Sequence, residues 1–209
     1  GPVDFIPLAE ETGLIIPLGL WVLRKSLELC AKWETLGIDD LTMSVNVSSK
    51  QLSETAFLQQ IKDALHDYKV PPEKLELEIT ESAVMDNPLQ VIAMLQQVRE
   101  LGVNISLDDF GTGYSSFIYL RQLPINTLKI DIMFVRNMCV NAQDEIIVHS
   151  IINLAHNLSL TVVAEGAEDL ETIERLTLMQ CNMAQGYVVS KPVLPEEFEK
   201  LPTSWGKDE

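Results

Sequence analysis

The sequence predicts an α/β protein built as a TIM-type (β/α) barrel, with about six of the eight strands present and the shortfall at the N-terminus. Three observations carry that expectation. Short alternating stretches recur along the chain, separated by segments of helical periodicity, and long connections of that kind make neighbouring strands parallel. In each early strand one face is apolar and the other polar or acidic. A doubly wound sheet, the competing architecture, is covered by helices on both sides and should be apolar on both faces, whereas a barrel can carry polar groups inside, toward the carboxyl ends of its strands. Finally, a complete barrel takes eight strands and typically about 250 residues, so a chain showing six implies that roughly 40 residues precede it.

The elements follow in order. Residues 15–33 predict a long helix after Pro17, with Leu20, Leu23, Leu27 and Cys30 at helical spacing. "LTMSVNVS" (41–48) alternates: Leu41, Met43, Val45 and Val47 on one face, Thr42, Ser44, Asn46 and Ser48 on the other. Residues 50–68 read as one helix with Leu52, Ile61 and Leu65 on its apolar side. "KLELEIT" (74–80) is a second strand and 88–101 a helix stopped by Gly102, since glycine tolerates a left-handed C-terminal position. "VNISLDD" (103–109) and "TLKID" (127–131) are the third and fourth strands, followed by a helix over 142–158. "LTVVAEG" (160–166) is the fifth, 168–178 a helix, and "MAQGYVVS" (183–190) a short sixth strand. No repeat or linker interrupts the series, so residues 1–201 are expected to form one domain and 202–209 a solvated tail.

Composition narrows the function. With 15 Lys and Arg against 31 Asp and Glu, the net charge is −16, which argues against DNA, RNA polymers or anionic membranes as partners. An anionic substrate would need local help from metal ions or a placed lysine. Cys30, Cys139 and Cys181 are far apart and lack zinc spacing; they read as buried free thiols of a reducing cytoplasm. The longest apolar run, "GLIIPLGLWVL" (13–23), is too short to span a bilayer.

With the polar strand faces turned inward, the last inward residues form a series. It runs Asn46, Glu78, Asp108 with Asp109 beside it, Lys129 and Asp131, then Glu165, with Gln185 at the turn into the last segment. Catalytic groups of barrels gather at this rim. Carboxylates so crowded repel unless a cation neutralises them. Oxygen donors without histidine or cysteine favour Mg²⁺, Mn²⁺ or Ca²⁺ over zinc. Adjacent aspartates can serve two ions about 3.5–4 Å apart, an arrangement that activates water for phosphodiester displacement; Lys129 is placed to orient that water or offset phosphate charge. Singly, each residue has an ordinary explanation: a strand-end turn for Asp108-Asp109, a solvated face or helix start for Glu78 and Glu81, a snorkelling lysine. Their coincidence at one end of five strands is what points to a metal site. His66, His149 and His156 fall in expected helices and, with the methionines and tryptophans, are assigned to structure.

The segments "FIPLAEETGLI", "SVNVSSKQL", "LELEITES", "DDFGTGYSS", "LKID", "VVAEGAE" and "QGYVVSKP", in this order between about residue 4 and residue 201, together resemble the EAL-domain family. Its members are phosphodiesterases that hydrolyse the bacterial second messenger cyclic di-GMP to linear pGpG. By position, the resemblance implies Asn46, Glu78, Asp108, Asp109 and Glu165 as metal ligands and Lys129 as the lysine contacting the catalytic water. It implies Asp131 as a support of the metal site, Gln185 near the bound nucleotide, and Glu81 as the acid bracing the "DFGTGYSS" loop, where Gly111 and Gly113 suit a backbone that rearranges. It further implies two Mg²⁺ or Mn²⁺ ions, a homodimer, a cytoplasmic location, and a parent protein with sensor or GGDEF-type domains and room for a membrane anchor. Glu168 fits the second acid of an "EGVET"-like stretch whose valine and threonine are here Ala167 and Asp169. The larger departure is at the front: the Glu-Ala-Leu motif, which carries a further metal-ligand glutamate, is not in this sequence. Two alternatives remain at this point: a receptor that binds cyclic di-GMP without cutting it, and a metal-dependent barrel enzyme acting on sugar phosphates or enolates.

Overall fold

Alternation becomes a wall with two different faces. The computed structural model describes residues 1–38, 41–113 and 117–200. Its strands are β1 (Met43–Asn46), β2 (Leu75–Thr80), β3 (Asn104–Phe110), β4 (Thr127–Ile130), β5 (Thr161–Glu165) and β6 (Met183–Gln185). All neighbours are parallel, in the spatial order β1-β2-β3-β4-β5-β6. A doubly wound sheet reverses its strand order partway. Here each strand adds on the same side of the one before, which keeps the crossovers on one face and makes this sheet a half-barrel.

The helices are α1 (Pro2–Thr12), α2 (Ile15–Thr35), α3 (Ser49–Leu52), α4 (Phe57–Tyr68), α5 (Glu81–Asp86), α6 (Pro88–Glu100), α7 (Phe117–Leu120), α8 (Ile132–Val135), α9 (Ala142–Asn157), α10 (Leu170–Leu178) and α11 (Pro195–Phe198). The outward strand residues Leu75, Leu77, Ile79, Ile105, Leu128 and Val162 are fully buried. Leu27 of α2, Ile61 of α4, Leu95 of α6 and Ile152 of α9 are also fully buried, in the same apolar cluster. Each such side chain contributes about 1.5–3 kcal/mol relative to an exposed one, so the core lies between sheet and helices. The inner face is mostly polar, although Val163 and Met183 share it.

Several expectations need correction. The single helix over 50–68 is two, α3 and α4. Ser48 caps α3 reciprocally with Gln51, and both Leu52 and Phe57 are buried, so the intervening turn lets each helix seat its own anchor. The sixth strand stops at Gln185 because Gly186 packs against the Ala167 backbone, with no room for a Cβ. Five helices went unforeseen: the single turns α7, α8 and α11; α1, which begins with proline at its first position but also carries Pro7 inside; and α5, capped by the Thr80 hydroxyl accepting from Ala83 N–H at 3.2 Å. Of the cysteines only Cys30 is buried, although all three are free. Trp21 is 59% exposed and not a packing residue, whereas Trp33 stacks on Phe198 with ring centroids 4.7 Å apart. The tail over 202–209, Trp205 included, lies outside the described residues.

Candidate metal and phosphodiester site

Lys129 is the centre of the rim. It stands on β4 with the inward-facing residues of β2, β3 and β5 around it. Its Nζ donates to Glu78 Oε2 at 3.0 Å and lies 2.6 Å from Glu165 Oε1 and 3.5 Å from Asp108 Oδ1. Lys129 and Glu78 are both buried, at 4% and 9% exposure. Burial works against the ammonium, but the hydrogen bond to Glu165 and the charges of Glu78, Asp108 and Glu165 outweigh it and hold Lys129 above the ordinary lysine value. Glu165 shows the other side of the sharing. Burial pushes its carboxyl up, and Lys129 only partly offsets that because Asp108 and Glu78 also repel it. One ammonium serving three acids gains from all three, while each acid receives a fraction.

Asp109 follows a local irregularity of β3. Its φ of 55° is left-handed, a region in which aspartate is enriched among non-glycine residues. Burial, then the charge of Asp108, then the charge and hydrogen bonding of Asp131 push the Asp109 carboxyl up. Asp131, immediately after β4, also caps α8, its Oδ1 accepting from Met133 N–H at 2.7 Å. Asn46 pairs across the strands with Glu78, and Gln185 with Glu165; both are exposed. The fold thus joins Glu78, Asp108, Lys129 and Glu165 directly. Asp109 and Asp131 form an adjoining pair, and register brings Asn46 and Gln185 alongside.

Glu81 is set apart. At the start of α5 it is 3% exposed, and its Oε2 accepts from Gly111 N–H at 3.3 Å. A Cβ on Gly113 would stand 2.5 Å from Glu81 Oε1, so this acid grips the start of the loop after β3. Among the described residues that Oε1 is buried without a hydrogen-bond partner. Tyr114, Ser115 and Ser116 of the loop lie outside the described residues. The histidines are away from the rim: His66 is on α4, and His149 and His156 are on α9, with His156 Nε2 3.0 Å from Asn182 Oδ1.

Sequence reasoning missed the layer beneath the rim. Glu76 accepts from Ser44 Oγ at 3.0 Å and from Thr127 Oγ1 at 3.1 Å. The alternation that found Asn46, Glu78 and Lys129 would have found these residues two positions earlier. It also missed the ion pair of Arg136 with Glu168, which ties α8 to the segment after β5.

Among the described residues no three acidic, histidine or cysteine side chains stand ready as a metal cage; the Lys129 ammonium lies between the acids. The donor set nevertheless suits a hard divalent cation. It offers oxygens only, and four carboxylates (Glu78, Asp108, Asp109 and Glu165) face one ammonium.

The fold and the site thus define a half-barrel of parallel strands with an acid-and-lysine mouth at their carboxyl ends. The family model described as "EAL domain" matches residues 1–192, and the chain belongs to the EAL-domain family. It is 41% identical over 200 residues to the signaling protein YkoW of Bacillus subtilis, covering 96% of this chain and 25% of that protein. It is 39% identical over 198 residues to the cyclic di-GMP phosphodiesterase PA2567 of Pseudomonas aeruginosa, covering 95% of this chain and 34% of that protein. The chain therefore spans about a quarter to a third of the length of these curated relatives. The solved structure described as "PaMucR Phosphodiesterase, c-di-GMP complex" superposes with a TM-score of 0.91 at 38% identity, covering 94% of this chain and 80% of that one.

Proposed function

We propose that this domain, residues 1–201, takes part in hydrolysis of cyclic di-GMP to linear pGpG. The observation that carries the reading is the convergence of Glu78, Asp108 and Glu165 on Lys129 at one rim of a half-barrel whose family includes a named cyclic di-GMP phosphodiesterase. Asn46, Glu78, Asp108, Asp109 and Glu165 would hold Mg²⁺ or Mn²⁺, two ions in the intact site. When bound, such ions activate a water and offset charge on a phosphodiester.

The chain's own residues do the rest. Lys129, whose Nζ reaches Glu78, Asp108 and Glu165, supplies a donor and a positive charge at the rim. Asp131 steers Asp109 from the residue just after β4. Gln185, neutral and exposed beside Glu165, can bond a nucleotide without adding charge to an acidic mouth. Glu81 braces the loop that follows the two aspartates.

The partners of this reading are cyclic di-GMP and a second copy of the chain. Its parent protein carries sensor or GGDEF-type domains and acts in the cytoplasm. One observation supports it: relatives are several times longer, among them one named a bifunctional diguanylate cyclase/cyclic di-GMP phosphodiesterase, MucR of Pseudomonas aeruginosa.

The test is incubation of the full-length protein with cyclic di-GMP and Mn²⁺ or Mg²⁺, followed by chromatography. pGpG should appear, disappear with chelator, and fall steeply in Asp108→Asn and Lys129→Ala. Undiminished turnover in chelator and in either variant overturns the assignment. Tight calorimetric binding without pGpG makes the domain a receptor.

A further inference from the structure

We propose that Thr127 and Glu76 are positioning residues for Lys129, and that Ser106 is the spacer across which they act; the catalytic part of this inference rests on the hydrolase reading above.

The contact between Lys129 and Glu78 joins β4 to β2, and these strands are not neighbours, because β3 lies between them. At the usual inter-strand spacing the gap is about 9.6 Å. In register, Glu78 stands opposite Ser106, and Ser106 opposite Thr127. Two residues earlier on both outer strands, Thr127 Oγ1 donates to Glu76 Oε2 at 3.1 Å, again from β4 to β2. The other oxygen of Glu76 accepts from Ser44 Oγ of β1 at 3.0 Å.

Two rungs therefore cross β3 on either side of Ser106, one toward Asp108 and one toward Asn104. The residue between them is one of the smallest available, and Ser106 is fully buried, its Oγ without a partner among the described residues. A longer side chain there would occupy the space that both rungs use. Lysine is a point charge on a flexible four-carbon stem, so where its ammonium rests depends on how its strand is held. The lower rung supplies that hold: it ties β4, through Glu76, to β1 and β2 one layer below the ammonium. Small misplacements of reacting groups are costly in rate, and a group that acts on the attacking water rather than on substrate binding should change kcat more than KM.

The experiment uses full-length protein, steady-state hydrolysis of cyclic di-GMP, and the ¹⁵N resonance of the Lys129 ammonium recorded in chelator. Thr127→Val removes the donor at nearly constant volume; Thr127→Ser keeps it. The expected result for Thr127→Val is a kcat lower by about ten- to a hundredfold with KM within about twofold, and a shifted or broadened Lys129 resonance. Thr127→Ser should recover both. Equal loss in the two variants, or an unmoved resonance in Thr127→Val, overturns the proposal. Should Thr127→Val fail to fold, Glu76→Gln takes its place, with the same resonance deciding. If the wild-type protein makes no pGpG, the hydrolase reading falls, while the resonance still decides whether Thr127 and Glu76 position the lysine.

Discussion

Asp108 and Asp109 are consecutive in β3, yet both turn away from the core that their neighbours enter. Leu107 pairs with Leu128 and Phe110 with Ile130, so β3 spends three residues where β4 spends two. That extra residue is a bulge. Leu107 and Phe110 are buried on the helix side, at 2% and 5% exposure, while the two aspartates are less buried and face the charged groups of the rim. In a regular strand one of the two would have been driven into the apolar layer.

The bulge makes Asp109 sensitive to shape and charge separately. Asn tolerates a left-handed φ almost as well as Asp, so Asp109→Asn should fold. It also removes a charge that Asp108 and Asp131 disfavour. Metal-free protein should melt slightly higher, and on the metal-ligand role proposed for Asp109 hydrolysis should fall by more than the roughly ten- to hundredfold that losing an outer-shell partner costs. Asp109→Val, branched at a φ of 55°, should instead lower stability by about 1–2 kcal/mol. Calorimetric melting of the two variants separates the effects.

Removing Lys129 leaves three acids without their cation. In chelator, Lys129→Met should lose about 3 kcal/mol, the low end for breaking a buried pair, since Glu78 and Glu165 keep 10% and 20% side-chain exposure. The folded lysine value lies above the unfolded one, so the wild-type contribution is complete below about pH 10.4. It is lost only as pH rises through the folded value. In the variant, acidification should restore stability as the crowded carboxylates take up protons. Denaturant melts between pH 5 and pH 8 check the variant's slope against a wild-type contribution that stays constant over that window.

Asp169 offers a pH effect away from the rim. It caps α10, its Oδ1 accepting from Thr172 N–H at 2.8 Å, and that hydrogen bond holds its carboxyl below the usual range. Its contribution is therefore present above the unfolded value and is lost as pH falls through the folded one. Asp169→Asn should retain the cap near neutrality and flatten the acid limb of the stability curve below about pH 4. An acid titration of the melting temperature that does not differ from wild type would count against the cap.

Gly166 follows Glu165 at a φ of 76°, and a Cβ there would lie 2.1 Å from Ile132 Cγ1. Gly166→Ala should cost about 1–3 kcal/mol from overpacking, with a melting temperature lower by roughly 2–4 °C for each kcal/mol. It should also weaken hydrolysis, because the backbone carrying Glu165 must move. Adding Ile132→Ala should recover part of the stability, and the non-additivity measures the clash.

Reading the chain in pairs of positions was enough to place Asn46, Glu78, Asp108, Lys129 and Glu165 on one face of successive strands, because a strand's period of two leaves little freedom once its apolar face is known. Helix boundaries were less legible. α1 places only Ala9 in the core, so little apolar periodicity marks it, and the break between α3 and α4 is hidden in a continuous apolar periodicity. The lower rung of Ser44, Glu76 and Thr127 was in view but ignored, because its residues carry no chemistry when taken singly.

What this amino-acid sequence determined alone was therefore a parallel β/α wall with acids and one lysine facing inward at its carboxyl end; side-chain alternation is a local property of the backbone. The tertiary structure decided what alternation cannot express. It turned two adjacent aspartates to the same side through a bulge, shared one ammonium among acids from three strands, and carried that contact over β3 above a buried serine. Each depends on distances between strands far apart in the chain, set only when the sheet packs against its helices.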